Sequence, residues 1–334
     1  MKRFLPSVVT GLVVAAIPAA AQVPGLTGTV IVTNKTPSTA TVIDVASGRT
    51  LATIATGGGP HEIALSSDAR TAVVTDYSGP PSGRTLTVID VPTMKVVRTI
   101  DMGDHPRPHG IVFLPGDSLV ATTSEQSGHV VIVNILVGAI RRAAPTEGLG
   151  SHMVGVTANG ARGFTGNMRS NTVSEVDIRT GQFVRSIPVP ATPEAINVTP
   201  DGTEAWVGSN NTGKLSVIDV ARWTVGTVAE GFRWPYRVLI TPDVTTVMVP
   251  DLTLEELRFF DRASRKEIAR LSFPGGGPEG ITITPDGRYA LLSLSKQARV
   301  AIIDMKTRSV AGYLAAGETP DGIVYTTKVY APGR

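Results

Sequence analysis

Residues 41–45 read Thr-Val-Ile-Asp-Val, and this sequence returns unchanged at 87–91 and as Ser-Val-Ile-Asp-Val at 216–220. Aligning the chain on the acidic position gives a polar residue that recurs at intervals of 42 to 46 residues. The aligned residues are Asp44, Asp90, Asn134, Asp177, Asp219, Asp261 and Asp304. A period of this length with strand-like content is typical of a β-propeller. We interpret these side chains as structural, because a carboxylate there accepts hydrogen bonds from the following turn.

A second series of recurring residues follows a proline or serine at the start of what reads as the first strand of each unit. Its members lie 42 to 48 residues apart, and we call them the axial residues. They are His61, His109, His152, Glu194, Tyr236, Glu279 and Asp321. Equivalent positions of a ring lie on one circle, so we predict that these side chains face the central channel near one mouth. The residue that follows each is usually small, with Glu62, Met153 and Arg237 as exceptions.

Both series count seven units, and each unit reads as four short strands. The sequence therefore predicts an all-β protein, a seven-bladed β-propeller with four-stranded antiparallel blades. The chain begins at 28–33 like a second strand and finishes at 321–326 like a first strand. We predict that the two termini share one blade, because this closes the ring and covers strand edges that would otherwise be unpaired.

The first 21 residues are predicted to be a signal peptide, with cleavage near Ala21-Gln22, and residues 22–334 to be a single propeller domain. Lys2 and Arg3 precede an apolar run at 8–17 that is too short to span a bilayer comfortably, and small residues follow it. An uncleaved anchor is the alternative. The chain has no cysteine, so disulfides and thiolate metal sites are excluded. Export without disulfides predicts a bacterial protein that is periplasmic or secreted.

The charge of the mature chain is nearly balanced. Without Lys2 and Arg3 it has 29 basic and 28 acidic residues. We therefore expect no nucleic acid as a partner, and no transmembrane segment in the mature chain.

Several stretches resemble the YVTN-repeat β-propellers. They are Val30-Ile31-Val32-Thr33-Asn34, Thr41-Val42-Ile43-Asp44, Gly59-Pro60-His61-Glu62-Ile63-Ala64 and the Thr-Pro-Asp-Gly turns at 199–202 and 284–287. The resemblance covers essentially the whole mature chain and implies the propeller fold. This family and its look-alikes include bacterial surface and periplasmic proteins, lactonase-like enzymes and binding scaffolds, so the fold does not decide the activity.

His61, His109 and His152 belong to consecutive units, and neighbouring sheets pack about 10 Å apart. We predict that the three imidazoles meet at one divalent metal ion, which would be zinc, copper or iron. Glu194 and Asp321 flank this arc and are the candidate catalytic residues, as a ligand or as a base on metal-bound water. The alternative is a circle of polar side chains that water alone satisfies. His105 is predicted to support these histidines from the approach loop, and His129 to lie on the rim.

A wider circle of polar residues is predicted where each second strand ends at the same mouth, including Asn34, Asp76 and Asp251. The aromatic and basic segment 232–237 adds a face on which a planar ligand could stack, with an arginine for an anion. In the alternative, Trp234 packs between blades. The predicted ligand-binding residues are Asn34, Asp76, Glu194, Arg233, Tyr236, Asp251, Glu279 and Asp321.

These observations predict a propeller that binds a small-molecule or protein ligand at the polar mouth of its channel. The alternative function is a metal-dependent hydrolase, lyase or oxidoreductase with its active site in the same funnel.

Overall fold

The computed structural model describes residues 23–79 and 83–331, and the predicted signal peptide lies outside them. The described chain forms seven four-stranded sheets of antiparallel strands arranged as the blades of a ring. The prediction of an all-β, seven-bladed propeller is confirmed.

The blades follow one another along the chain. Blade 1 contains β28 (Pro320–Thr326), β1 (Thr29–Asn34), β2 (Thr39–Asp44) and β3 (Arg49–Ala55). Blade 2 contains β4 (Pro60–Leu65), β5 (Thr71–Asp76), β6 (Thr85–Asp90) and β7 (Lys95–Asp101). Blade 3 contains β8 (Pro108–Phe113), β9 (Leu119–Ser124), β10 (His129–Asn134) and β11 (Ala139–Pro145). Blade 4 contains β12 (Ser151–Val156), β13 (Arg162–Asn167), β14 (Thr172–Asp177) and β15 (Gln182–Pro188).

The remaining three blades have the same order of strands. Blade 5 contains β16 (Pro193–Val198), β17 (Glu204–Ser209), β18 (Lys214–Asp219) and β19 (Thr224–Ala229). Blade 6 contains β20 (Leu239–Ile240), β21 (Thr246–Asp251), β22 (Glu256–Asp261) and β23 (Glu267–Ser272). Blade 7 contains β24 (Pro278–Ile283), β25 (Tyr289–Leu294), β26 (Arg299–Asp304) and β27 (Ser309–Ala315).

Blade 1 joins the two ends of the chain, as predicted. Its innermost strand, β28, pairs antiparallel with β1, with Thr326 opposite Thr29 and Ile323 opposite Val32. The ring is therefore closed by a backbone ladder and by no covalent bond.

The recurring aspartates lie at the end of each third strand and hold the turn that follows. Asp177 Oδ1 accepts hydrogen bonds from the backbone amides of Arg179 and Thr180, both at 2.8 Å. Asp304 Oδ1 does the same with Lys306 and Thr307 at 2.9 and 3.0 Å. The structural interpretation of these residues is confirmed.

Apolar side chains fill the space between neighbouring blades. Between blades 5 and 6, Trp206 and Leu215 pack with Val249 and Phe260, and all four are fully buried. Burying one large apolar side chain contributes about 1.5–3 kcal/mol, so these repeated layers stabilise the ring.

The innermost strands approach one another closely, which explains the small residues after most axial positions. A Cβ atom on Gly322 would lie 2.4 Å from the carbonyl oxygen of His61, and one on Gly110 would lie 2.8 Å from Met153 Cα. Glycine at these places therefore lets adjacent inner strands come near enough for the axial side chains to meet.

Candidate functional site at the channel mouth

The axial residues converge at one end of the channel and are largely buried against one another. The exposed fraction of His109 is 1%, that of Glu194 is 3% and that of Asp321 is 0%, while His61 is half-buried. Contacts divide the circle into two parts. We call His61, His109 and His152 with Tyr77 the histidine arc, and Glu279, Asp321 and Tyr236 with Lys35 the carboxylate arc.

The histidine arc is a stack of rings. The centroids of His61 and His109 are 5.1 Å apart, and those of His109 and His152 are 3.6 Å apart with an angle of 28° between their planes. The Tyr77 ring lies 4.4 Å from His61 and 4.9 Å from His109. The structure thus brings together the three histidines singled out by the sequence and adds a tyrosine to them.

This stack does not fit one metal ion shared by three imidazoles. With Zn–N bonds of 2.0–2.1 Å, two ligand rings have centroids roughly 4.5–5.2 Å apart. The His61–His109 pair meets this condition, but the stacked His109–His152 pair is too close. Within 23–79 and 83–331, no three His, Asp or Glu side chains are arranged to hold a metal ion. A metal ion bound by all three histidines would need a different orientation of the His152 ring. Such a metal site stays a prediction.

His152 is instead directed at carboxylates. Its Nδ1 lies 3.3 Å from Glu125 Oε2, and its Nε2 lies 3.9 Å from Glu194 Oε1. Burial opposes ionisation of Glu125, but hydrogen bonds from His152 and Tyr77 outweigh it and lower the pKa of Glu125 to about 2. Glu125 is therefore an anion that orients His152 within the stack.

His61 and His109 are neutral at pH 7. Burial lowers the pKa of His61 to about 4 and that of His109 well below its ordinary value, where the neighbouring imidazoles add to the effect. His61 Nδ1 lies 2.9 Å from the Gly59 carbonyl oxygen. Because a neutral ring has one N–H, His61 donates from Nδ1 and keeps Nε2 as an acceptor.

The carboxylate arc is organised by Lys35. The Lys35 ammonium contacts Glu279 and lies 3.5 Å from Asp321 Oδ2, and Tyr236 donates a hydrogen bond of 3.1 Å to the same oxygen. Burial, followed by the charge of Asp321, raises the pKa of Glu279 to about 7. For Asp321, the charges of Lys35 and Arg237 outweigh burial and lower the pKa. Neighbouring carboxyls with pKa values pushed apart can serve as an acid and an anion at neutral pH.

The two charged exceptions after axial positions, Glu62 and Arg237, form an ion pair with each other. Glu62 belongs to blade 2 and Arg237 leads into blade 6, so the pair crosses the channel. Arg237 also donates to the Tyr236 carbonyl oxygen at 2.7 Å and lies 3.6 Å from Asp321 Oδ1. Both partners are at most 9% exposed, so this bridge lies inside the ring.

The residues of the predicted wider circle, Asn34, Asp76 and Asp251, are buried in the structure. Their side chains bond to segments that link blades and, for Asn34 and Asp76, to the third strand of the same blade. Asp76, for example, accepts hydrogen bonds from the Gly57 amide at 3.1 Å and from Thr85 and Thr87 at 2.6 and 2.9 Å. These polar groups are occupied within the protein, and a role of the three residues in ligand binding stays a prediction.

The side chains that reach the axis come one position later, immediately after the second strand of a blade. They are Lys35, Tyr77, Glu125, Asn210 and Ser295. Adjacent positions of an extended chain point in opposite directions, so an offset of one residue changes the face. The alignment of the repeats that predicted Asn34, Asp76 and Asp251 therefore also contains the axis-facing residues, one position later in each repeat.

Arg107 and Trp234 complete the mouth. Arg107 lies with its guanidinium carbon 4.3 Å from the Tyr77 ring centroid and its Nη2 3.8 Å from Glu125. Trp234 is 40% exposed, whereas Phe232 is buried between blades 5 and 6. The alternative in which Trp234 packs between blades is therefore wrong. Arg233 is exposed, and its backbone amide donates to Asp251 at 2.7 Å.

Glu194 lies between the two arcs. Asn210 donates a hydrogen bond to its carboxyl, and burial raises its pKa. Both carboxyls predicted as catalytic candidates, Glu194 and Asp321, thus lie at the axis, on either side of the histidines.

Several known proteins are similar to this chain. A family model described as YNCE-like beta-propeller matches residues 141–241. A Kuenenia stuttgartiensis hydrazine synthase structure has a TM-score of 0.74 at 16% identity, covering 90% of this chain and 99% of that one. The structure of the periplasmic gluconolactonase of Pseudomonas aeruginosa has a TM-score of 0.70 at 15% identity, and the match covers 90% of this chain and 99% of that one. The structure of a functionally unknown protein from Desulfotomaculum acetoxidans has a TM-score of 0.74 at 16% identity, and the match covers 92% of this chain and 100% of that one. At these identities the likeness concerns the fold.

A comparison with curated proteins found no match. The residues at 23–79 and 83–331 contain no helix of the length and apolar character needed to cross a bilayer. The partial family match and the ring of seven blades support the resemblance drawn from the repeats: the chain is a seven-bladed β-propeller consistent with the YVTN-like family.

Proposed function

We propose that this protein is an exported propeller that binds a small polar ligand at the mouth of its channel. The observation that carries the proposal is the circle of half-exposed side chains above the buried axial residues, which combines donors, acceptors and an aromatic face. It consists of Lys35, Tyr77, Arg107, Glu125 and Asn210. A concave opening with convergent polar groups is the usual form of a ligand site.

The two arcs would recognise different parts of a ligand. In the histidine arc, His61 Nε2 is an acceptor for a hydroxyl group, and the Tyr77 ring gives an apolar face. In the carboxylate arc, Lys35 supplies a cation that suits a carbonyl or carboxylate oxygen. A hydroxylated compound with an acid or lactone group fits this combination.

A lactone or its sugar acid is therefore the first class of ligand to test. The structural likeness to a periplasmic gluconolactonase gives this class a second line of support. The same neighbour and the predicted signal peptide support the proposal that the protein is periplasmic or secreted.

Hydrolysis of such a lactone is a second candidate function. The observation that favours it is the Glu279–Asp321 pair, in which one carboxyl has a pKa of about 7 and the other is held ionised by Lys35 and Arg237. A group with a pKa near the working pH is suited to general acid–base catalysis. The stacked histidines give no comparable support to a metal-dependent reaction.

The test is calorimetric titration with D-gluconate, together with D-glucono-1,5-lactone in a pH-stat assay that follows acid release. We expect saturable gluconate binding that Lys35→Ala and Tyr77→Ala each weaken at least tenfold. Lys95→Ala is the matched control, because Lys95 is exposed on an outermost strand far from the channel. Gluconate affinity that is unchanged in both mouth variants would overturn the proposed site. Acid release by Glu279→Gln that exceeds the spontaneous rate as much as acid release by the wild type does, or no such excess with the wild type, would remove the hydrolytic candidate alone.

A further inference from the structure

A second pair of histidines lies outside the axial circle. His105 comes from the loop before β8, and His129 begins β10, so two separate segments of blade 3 supply them. Their ring centroids are 4.9 Å apart, with an angle of 59° between the planes. This separation falls inside the roughly 4.5–5.2 Å that two imidazoles have when they share one ion through bonds of 2.0–2.1 Å.

Both rings are held by the same residue, Ser127. His105 Nδ1 lies 2.9 Å from the Ser127 hydroxyl, and His129 Nδ1 lies 2.7 Å from the Ser127 carbonyl oxygen. The Ser127 carbonyl can only accept, so a neutral His129 donates from Nδ1 and presents Nε2 as its lone-pair donor. The Ser127 hydroxyl can accept from His105 Nδ1 in the same way. Hydrogen bonds of this kind orient histidine ligands in metal sites and fix the tautomer that binds metal.

Neither of the two histidines is fully enclosed by the protein. Both histidines are half-buried, and neither Nε2 has a hydrogen-bond partner among the described residues. The exposed Asp104 carboxylate next to His105 adds a negative charge.

We propose that His105 and His129 form a binding site for a divalent transition ion of the copper and zinc class on the rim of the propeller. Imidazole nitrogen suits both of these ions, and water or Asp104 would complete the coordination. The site is independent of the axial circle, because its two ligands contact Ser127 and each other, whereas the axial rings contact Tyr77, Glu125 and Glu194. It is also independent of the ligand proposed for the channel mouth.

The experiment uses full-length protein without an affinity tag. Zn²⁺ is titrated by calorimetry, and Cu²⁺ is added for electron paramagnetic resonance, which counts coordinating nitrogens from their hyperfine lines. We expect one saturable site with two imidazole nitrogens. His105→Gln and His129→Gln should each weaken Zn²⁺ binding at least tenfold and remove one nitrogen from the copper spectrum.

The variants His61→Gln and His109→Gln serve as the comparison, because the separation of these axial imidazoles also falls in this range. Zn²⁺ binding that is lost in these variants and kept in His105→Gln and His129→Gln would place the ion at the axis and overturn the proposal. Ser127→Ala should weaken binding by less than loss of a ligand, because it removes the hydroxyl that orients His105 but keeps the carbonyl that orients His129. Unchanged Zn²⁺ affinity in a folded His105→Gln/His129→Gln variant, or no saturable binding by the wild type, would overturn the proposal.

Discussion

The Arg237 guanidinium and the Glu62 carboxylate meet across the channel although they lie 175 positions apart in the sequence. Their blades are not neighbours in the ring, so the pair links two sides that the sheet ladders do not connect directly. Desolvating two charges is expensive, and only close pairing offsets it. The third partner, Asp321, extends this link to blade 1, the blade that closes the ring.

Replacing one partner should therefore destabilise the protein strongly. We expect Arg237→Met to lower the free energy of unfolding by about 3–5 kcal/mol, because Glu62 is left as a buried charge without its counterion and Asp321 keeps only Lys35. Urea denaturation followed by circular dichroism measures this. The double variant Arg237→Met/Glu62→Gln should recover part of the loss. Arg222→Ala is the control, since that side chain is 80% exposed and pairs only on the surface. A loss no larger than that of Arg222→Ala would contradict the assigned role.

Asp76 and Tyr77 are adjacent in sequence and should behave in opposite ways. Asp76→Ala removes the acceptor of the Thr85 and Thr87 hydroxyls and leaves the Gly57 amide with Thr87 Oγ1 alone, which should cost about 1–3 kcal/mol of stability and leave gluconate affinity unchanged. Tyr77→Ala should weaken gluconate binding and change stability less. Thermal unfolding and calorimetry on the same preparations make the comparison. Loss of gluconate affinity in a folded Asp76→Ala variant would restore Asp76 to the ligand-binding set.

The stability of the protein should fall with rising pH through the titration of Glu279. The pKa of this carboxyl is about 7 in the folded protein, against an ordinary value of 4.5. The native state thus holds a proton that the unfolded chain releases between these values, so the stabilisation is present below pH 4.5 and is lost as the pH rises towards 7. We expect wild type to lose roughly 1–3 kcal/mol relative to Glu279→Gln across this window. Parallel stability curves for the two proteins from pH 4.5 to 7.5 would show that Glu279 does not titrate in this way.

Closure of the ring should depend on the last strand. Deleting the residues after Gly317 removes β28, which pairs with β1 along its length and buries Ile323 in the core. We expect the melting temperature to fall by roughly 10 °C or more and the transition to broaden. A deletion of residues 332–334, which keeps β28, is the control. An unchanged melting transition after the longer deletion would contradict non-covalent closure as a source of stability.

The fold could be predicted from the sequence because the same residue pattern recurs in every blade. Two residue series with one period defined the number of blades, and the turn-holding role of the aspartates followed from local chemistry at positions such as Asp177 and Asp304. Closure was predictable because the chain begins and ends in different parts of the same unit.

The site was predicted less completely because orientation depends on single-residue register and on contacts between distant blades. Asn34 and Asp76 are polar and recur in the right place, but their side chains point into the blade, and Lys35 and Tyr77 face the axis instead. Stacking of His109 on His152 follows from the close approach of inner strands, which no spacing in the sequence reveals. In the sequence, Glu62 and Arg237 differ from the small residue that usually follows an axial residue, but nothing in the sequence indicates that they pair with each other.

The pairing of β28 with β1 also constrains when the ring can close during synthesis of the chain. During synthesis, the three outer strands of blade 1 appear first, and their inner edge stays uncovered until residues 320–326 have been made. Every other blade can assemble from contiguous sequence as it emerges. The circle cannot be completed before these residues have been made, and until then β1 offers an open edge that a chaperone or another chain can occupy.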